Sequence, residues 1–356
     1  MAMIVAHHFA CHGDFSFFST DISFNRFWLL LIQMGGKEGV DLFVLISGYF
    51  LITEKEKIFN LRHVLKLWGQ IIFYSFSIHL VFLLCGKTEL GLKAAVKMLM
   101  PVTFSGWWFA STYFALYLIH PFLNRLLNGM DKATFQKYLV LLVIIWSVIP
   151  TFTTSAFNGS SLTWFVTLYS VAAYVRLYGL NPKLTQKHYF LLWLLFSALT
   201  YLSSVVFILL GTKWAYFSEK SLYFFGQDKL PMLLTALSLF MTFEKMELPT
   251  SKWINTISSA TFGVYLIHDS NLVRPFLWKE VFHNASYQNS PYLLLYSLFA
   301  VATVFCVCAL LDLLRKRCIE KPFMRLVNAR ADRWLLPFQR LTDWLKKLVF
   351  GAETTE

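Results

Sequence analysis

The chain has 356 residues, of which 57% are hydrophobic, 18% aromatic and 15% charged, and its mean hydropathy is +0.54. Because a chain this apolar has too few charged residues to cover a soluble globule, we predict an all-α integral membrane protein. The net charge of +12 is compatible with nucleic-acid binding, but contact with anionic lipid headgroups is the simpler explanation. We therefore predict membrane lipids as partners, and no nucleic acid.

Apolar runs that can cross a hydrocarbon core of about 30 Å recur along the chain, and each predicts a transmembrane helix. The first is the opening run from Met1 to Ala10. Nine more follow, at Val40–Ile52 with an aromatic lead-in from Phe27, Trp68–Cys85, Trp107–Leu123, Tyr138–Phe152, Trp164–Val175, Tyr189–Leu210, Leu230–Phe243, Ser258–Val273 and Pro291–Leu314. The sequence therefore predicts a polytopic bundle of about ten transmembrane helices.

The basic residues predict how this bundle is oriented. Most of the 32 Lys and Arg residues fall in one set of alternate loops, which includes the tail after Leu314. Since cytoplasmic loops carry such an excess, both termini are predicted to be cytoplasmic. Residues 1–325 form the predicted transmembrane domain. Residues 326–356 form a predicted basic, amphipathic cytoplasmic tail along the inner leaflet.

Polar side chains within apolar runs are costly in a membrane, so each is a candidate site residue. The candidates are His7, His8, Ser47, His79, Tyr113, Tyr117, His120, Asn124, Tyr265, His268, Asp269 and Asp312. For the serine and the tyrosines, an interhelical hydrogen bond that holds the bundle together is the simpler alternative. The five cysteines lack metal-site spacing, and the sequence predicts neither a metal site nor a disulfide framework.

Five segments are spread in order along the chain: IVAHHF, GVDLFVLISGYFL, WWFASTYFALYLIHPFLNRL, SATFGVYLIHD and DLLRKRCIEKPFMRL. Together they resemble the membrane-bound acyltransferase family 3. The resemblance implies ten membrane helices in a bacterial cytoplasmic membrane. It also implies an O-acetyltransferase type of activity, in which acyl-CoA, most often acetyl-CoA, donates its acyl group to a hydroxyl of a surface sugar, polysaccharide or glycolipid.

The first helix of that family carries an Arg, ten further residues and a His that is taken as catalytic, and this His aligns with His8. The matching Arg would lie upstream of Met1. Because residues 1–10 rise only about 15 Å, we expect the native first helix to be truncated in this chain.

By the same resemblance, His8 is the general base that takes the proton of a sugar hydroxyl while the hydroxyl oxygen attacks the thioester. A relay through an acyl-histidine is the alternative. His268 is a second catalytic candidate, since the adjacent Asp269 can hold its imidazole charged or fix its tautomer.

The loop EKEKIFNLRHVLKLW supplies the candidates for binding the phosphates of the donor, which are Lys55, Lys57, Arg62, His63 and Lys66. In a helix, Arg62 and Lys66 share a face because they are four residues apart. The alternative is that these are the ordinary basic residues of a cytoplasmic loop.

Four residues are candidates for binding the acceptor, namely Asp41, Ser47, Trp108 and Tyr113. The glycines of GGKEGVD are predicted to break the second helix and to place Asp41 at its outer end. There Asp41 either orients an acceptor or is an N-terminal helix residue favoured by the helix dipole, and we prefer the explanation by the dipole. The family resemblance favours Ser47. Trp108 and Tyr113 suit stacking on a sugar ring, although the interfacial aromatic belt explains the tryptophan equally well.

The alternative function is a secondary transporter or flippase of a sugar or lipid-linked substrate, because ten helices with scattered polar residues also suit transport. Transporters often show glycine or proline breaks at matching positions of two inverted halves, and no such pairing is visible here. A signalling or scaffold protein would need a soluble partner domain, whereas the longest soluble stretch is the tail. The sequence therefore favours the acyltransferase.

Overall fold

The computed structural model of the chain describes residues 1–18, 20–54, 60–89, 91–153, 157 and 159–350. All regular elements in these ranges are helical, which confirms the all-α prediction. The α-helices are α1 (Ala2–His12), α2 (Phe24–Leu51), α3 (Leu61–Leu84), α4 (Leu92–Leu99), α5 (Trp108–Asn128), α6 (Lys132–Val143), α7 (Ile149–Thr153), α8 (Ser161–Tyr178), α9 (Gln186–Gly211), α10 (Ala215–Glu219), α11 (Leu230–Glu244), α12 (Lys252–Ser259), α13 (Thr261–His268), α14 (Val273–Pro275), α15 (Leu293–Arg315) and α16 (Lys321–Phe350). Segments of π-helix lie at Ile144–Val148, Phe276–Val281 and Lys316–Glu320, and short 3₁₀ turns at Tyr223–Phe225 and Asn284–Tyr287.

Four helices of the described residues are long and apolar enough to cross a membrane. They are Leu61–Leu84, Lys132–Thr153, Gln186–Gly211 and Leu293–Arg330. The second and fourth run through a π-helical segment without ending there. These helices and the composition support a multi-pass membrane protein, while the count of ten transmembrane helices and the orientation of the termini stay predictions.

The predicted glycine break in the second helix is wrong, because α2 runs without interruption for 28 residues. A Cβ atom added to Gly36 would overlap the ring of His7, and one added to Gly39 would lie 3.0 Å from Ile4. These glycines therefore let α1 approach α2 closely, as small residues often do between membrane helices. Because α2 is continuous, Asp41 lies inside it, far from the N-terminal position that the sequence predicted.

The predicted helix over Ser258–Val273 is divided in the structure. The chain forms α12, then the separate helix α13, and it turns at residues 269–272 before α14 begins. Gly263 of α13 packs directly on the carboxylate of Asp312 in α15. This contact fixes a short helix against a long one, and it places the end of α13 in the interior of the bundle.

A buried polar network joins α3 to α15 beside this contact. Asp312 Oδ1 accepts hydrogen bonds from Tyr74 Oη at 2.7 Å, Arg315 Nε at 2.8 Å and Gln70 Nε2 at 3.1 Å. Both Asp312 and Arg315 are buried. Since a buried charge is tolerated only when it is paired and hydrogen-bonded, each member of this network depends on the others.

Replacing Gly263 by Ala is expected to lower the stability of the protein. The added methyl group would overlap the carboxylate carbon of Asp312, so we expect a cost in the upper part of the range of about 1–3 kcal/mol, more than the gain of about 1 kcal/mol that Ala has over Gly in a helix. The measurement is the apparent melting temperature of the purified protein in detergent. Gly91→Ala is the control, because nothing lies within 4 Å of the added methyl group there. A Gly263→Ala variant as stable as this control would contradict the close packing of α13 on α15.

Candidate active site

Two histidines from distant parts of the chain meet in the interior of the bundle. His8 Nδ1 on α1 lies 2.9 Å from His268 Nε2 at the end of α13. The other ring nitrogen of His268, Nδ1, lies 2.6 Å from the carbonyl oxygen of Val264. His8 is 8% exposed and His268 is fully buried, so these contacts are shielded from solvent.

This hydrogen-bond network assigns a tautomer to each neutral ring. The carbonyl oxygen of Val264 can only accept, so His268 Nδ1 carries its proton and donates it. His268 Nε2 then holds a lone pair and accepts a hydrogen bond from Nδ1–H of His8. In neutral His8 the basic lone pair is consequently on Nε2. The pair of rings thus leaves one defined nitrogen of His8 to act as a base.

Asp269 has a different partner from the one that the sequence indicated. Its Oδ1 lies 3.0 Å from Arg274 Nε and 3.5 Å from His8 Nδ1. Arg274 Nη2 also donates to the backbone oxygen of Asp269 at 3.1 Å. The Asp269 carboxylate is therefore paired with the Arg274 guanidinium and not with His268. The tautomer of His268 is fixed by the carbonyl oxygen of Val264.

A cavity of about 230 Å³ lies beside His8. Its wall includes His7, His8, His12, Lys37, Trp108 and Arg274. A second cavity of about 320 Å³ shares Cys11, His12 and Arg274 with the first. Its wall also contains Asp14 and Lys279, an exposed pair joined at 2.8 Å. The two cavities together extend from His8 to the exposed loop that follows α1.

The wall of the first cavity carries several cationic or metal-binding side chains. Lys37 Nζ lies 5.0 Å from the centre of the Trp108 ring, in a cation–π contact. Ligand atoms of His8, His12 and Asp269 all lie within 4.8 Å of one another, a set of donors that suits a transition metal. A metal ion there would compete with Arg274 for the carboxylate.

Of the predicted acceptor residues, Trp108 lines this cavity, whereas Asp41 does not. Asp41 is fully buried inside α2, and its Oδ1 accepts a hydrogen bond from Trp164 Nε1 at 3.0 Å. Its position excludes a role at the end of the helix and gives it a role in holding α8 to α2.

Ser47 and Tyr113 also lie outside the wall of this cavity. Ser47 Oγ donates to the carbonyl oxygen of Phe43 at 2.8 Å, one turn earlier in α2. The ring of Tyr113 stacks on Phe109, and its edge meets Phe43. Both side chains therefore contribute to packing between α2 and α5.

The predicted donor residues lie at the start of α3. Arg62 and Lys66 are both in this helix, and both are exposed together with His63. Lys66 Nζ lies 3.2 Å from Glu320 Oε1, and Glu320 Oε2 accepts from Arg315 Nη2 at 2.7 Å. The charge of Lys66 is thus partly neutralised. Lys55 and Lys57 lie outside the described residues, and phosphate binding by this region stays a prediction.

The structure brings residues to the cavity that the sequence did not select, chiefly His12, Lys37 and Arg274, and it places the selected Tyr265 in the same wall. His12 follows His8 by one helical turn, a spacing that was available as a signal. The role of Arg274 could not be predicted, because the sequence indicated one continuous helix through residues 258–273. In the structure a turn brings the Arg274 side chain back to Asp269.

A sequence model of the acyltransferase domain family matches residues 1–312, which include both histidines and every named residue of the cavity wall. No characterised protein and no solved structure matches the chain significantly.

Proposed function

Since the chain belongs to acyltransferase family 3, we propose that it transfers an acetyl group from acetyl-CoA to a hydroxyl of a cell-surface sugar, polysaccharide or glycolipid, in a bacterial cytoplasmic membrane. The observation that carries this proposal is the hydrogen bond of His8 to His268 at the wall of a cavity. It provides a base with a defined tautomer beside a space where two reactants can meet.

His8 acts as general base in this reaction. The acceptor hydroxyl gives its proton to Nε2 of His8 while its oxygen attacks the carbonyl carbon of the thioester. When the C–S bond breaks, the same proton passes from Nε2 to the departing sulfur. Both products are then neutral at the reacting atoms, and His8 returns to its starting tautomer.

His268 positions His8 and does not touch the substrate, because it is fully buried and is not part of the cavity wall. Its Nε2 accepts the Nδ1–H of His8, which prevents the ring of His8 from flipping. Such orienting partners commonly affect the reaction as strongly as a residue of the site.

The donor and the acceptor contact different parts of the protein in this proposal. Arg62, His63 and Lys66 at the exposed start of α3 bind the phosphates of the donor, with Arg62 favoured because its planar guanidinium can bind two phosphate oxygens at once. The acceptor enters from the second cavity and stacks on Trp108.

The proposal predicts that O-acetyl esters on surface glycans disappear when the gene is deleted. Complementation with the wild-type gene should restore the esters, and complementation with His8→Ala should not. The measurement is mass spectrometry of the purified glycans before and after mild alkaline treatment. Retention of every ester in the deletion strain would exclude a surface glycan as the acceptor.

In membranes supplied with labelled acetyl-CoA, His8→Ala is expected to lower kcat by about 10²- to 10⁴-fold, because a positioned base contributes that much. His79→Ala is the matched control, since this histidine lies on α3 and its Nδ1 contacts the carbonyl oxygen of Ser75 at 2.7 Å. Unchanged kcat in His8→Ala would remove His8 from the mechanism.

Two substitutions of His268 distinguish positioning from simple packing. Gln keeps an oxygen that can accept from His8 Nδ1–H, whereas Leu fills similar space without an acceptor. We expect His268→Leu to lose roughly 10- to 100-fold in kcat, His268→Gln to lose clearly less, and KM for acetyl-CoA to change little in both. Equal losses in the two variants would show that only the volume of the side chain matters.

A further inference from the structure

The N-terminal turn of α5 lies at the cavity beside His8. Trp108 and Phe109, the first two residues of α5, line that cavity. The N-cap residue is Trp107, and no side-chain hydrogen bond caps this end among the described residues. Helical hydrogen bonding begins with Ser111 N–H, which bonds to the carbonyl of Trp107. The preceding three amides have no acceptor within the helix, and together they form the positive end of its dipole.

The hydroxyl of Tyr265 is a second polar group of the same wall, and its hydrogen bonding to the described residues is poor. Tyr265 is 2% exposed, and within the described residues its hydroxyl makes no hydrogen bond of satisfactory geometry. The backbone of Phe109 and the carboxylate of Asp269 lie near it, and its ring meets the ring of Phe109 at 5.4 Å. Buried hydroxyls in folded proteins are nearly always hydrogen-bonded, so an unpaired one at a cavity indicates a ligand atom that accepts from it.

The charges of the wall favour an oxygen ligand that carries or develops negative charge. Lys37 and Arg274 are the cations of this wall, and the helix dipole of α5 adds a partial positive charge. Asp269 is the carboxylate of this wall, and Arg274 neutralises it at 3.0 Å. Because Arg274 and Asp269 neutralise each other, Lys37 and the positive end of α5 are left to favour a negatively charged oxygen.

We propose that the Tyr265 hydroxyl and the first-turn amides of α5, which have no acceptor within the helix, bind the carbonyl oxygen of the acyl thioester, so that Tyr265 is a catalytic residue. This inference rests on the proposed acyl transfer. As the acceptor oxygen bonds to the carbonyl carbon, the C=O electron pair moves onto the carbonyl oxygen, and the two kinds of donor stabilise the resulting anion. When the C=O bond forms again, the C–S bond breaks and the sulfur takes the proton held by His8.

A carbonyl oxygen fits this position better than a phosphate of the donor. Tyr265, Phe109 and His8 line one cavity of only about 230 Å³, so an atom held by Tyr265 is within the space where the base acts. The reacting carbonyl is the part of the donor that must be close to the base.

The first test is Tyr265→Phe, which removes the hydroxyl and keeps the ring that packs on Phe109. We expect kcat to fall by about 10²- to 10³-fold, as it does when one donor to an oxyanion is removed, with little change in KM for acetyl-CoA. Tyr189→Phe is the matched control, because the Tyr189 hydroxyl is also buried without a partner among the described residues but lies outside this cavity wall. A Tyr265→Phe variant with the kcat of the control would overturn the proposal.

The second test measures binding, and it separates this inference from the proposed function. One probe is a ketone analogue of acetyl-CoA, in which a methylene replaces the sulfur and the carbonyl is kept, and the other is the thioether analogue, ethyl-CoA, which lacks the carbonyl. Wild type should bind the ketone more tightly than the thioether, and Tyr265→Phe should lose most of that difference. Equal binding of both analogues by wild type would overturn the role of Tyr265 and leave the donor assignment intact. Binding of neither analogue would instead overturn the proposed function, and this inference with it.

Discussion

The hydrogen bond between His8 and His268 is the contact on which the candidate site depends. This hydrogen bond joins α1 to α13, about 260 residues later in the chain, and it forms only when both helices pack at the correct distance from their neighbours. Gly36 and Gly39 let α1 approach α2, while Gly263 lets α13 approach α15. The single acceptor that fixes the His268 proton is a backbone carbonyl inside α13. The chemistry proposed for His8 is thus a consequence of how closely these helices pack.

The short helix α13 also connects the site to the buried charges on its other side. Gly263 contacts Asp312, and His268 lies five residues further along, a rise of about 7.5 Å. One polar network is centred on Asp312 and Arg315, and a second polar network is centred on His8, His268 and Asp269. In each, the charged groups are paired with one another, which is the condition for keeping charges inside an apolar bundle. A change in the position of α13 therefore acts on both polar networks at once.

The sequence predicts much of the helical content, because long apolar runs have one stable structure in a membrane. It also selects His8 and His268, since a histidine in an apolar run is costly and needs a reason. The sequence-based prediction of a helix break at the glycines of α2 is wrong, because these glycines lie within a continuous helix and allow α1 to pack closely against it. Arg274 was not selected, and Tyr265 was selected only as a polar residue within an apolar run, because their meeting with His8 depends on a turn and on three separate helices, which local patterns do not encode.

The distance between the basic start of α3 and the candidate base is informative about the donor. Lys66 lies one turn before Gln70, which contacts Asp312, and Asp312 in turn contacts Gly263 near the start of α13. The rise from Lys66 to Gln70 and the rise from Gly263 to the end of α13 together make a path of on the order of 15 Å along the helices from Lys66 to the histidine pair. A donor bound by its phosphates near Lys66 must therefore carry its acyl group on a long, flexible arm. Coenzyme A has this arrangement, with its phosphates and its thioester at opposite ends of such an arm. In the proposed transfer, the acceptor would reach the same histidine from the cavity beyond Arg274, so that the two substrates approach His8 from different sides.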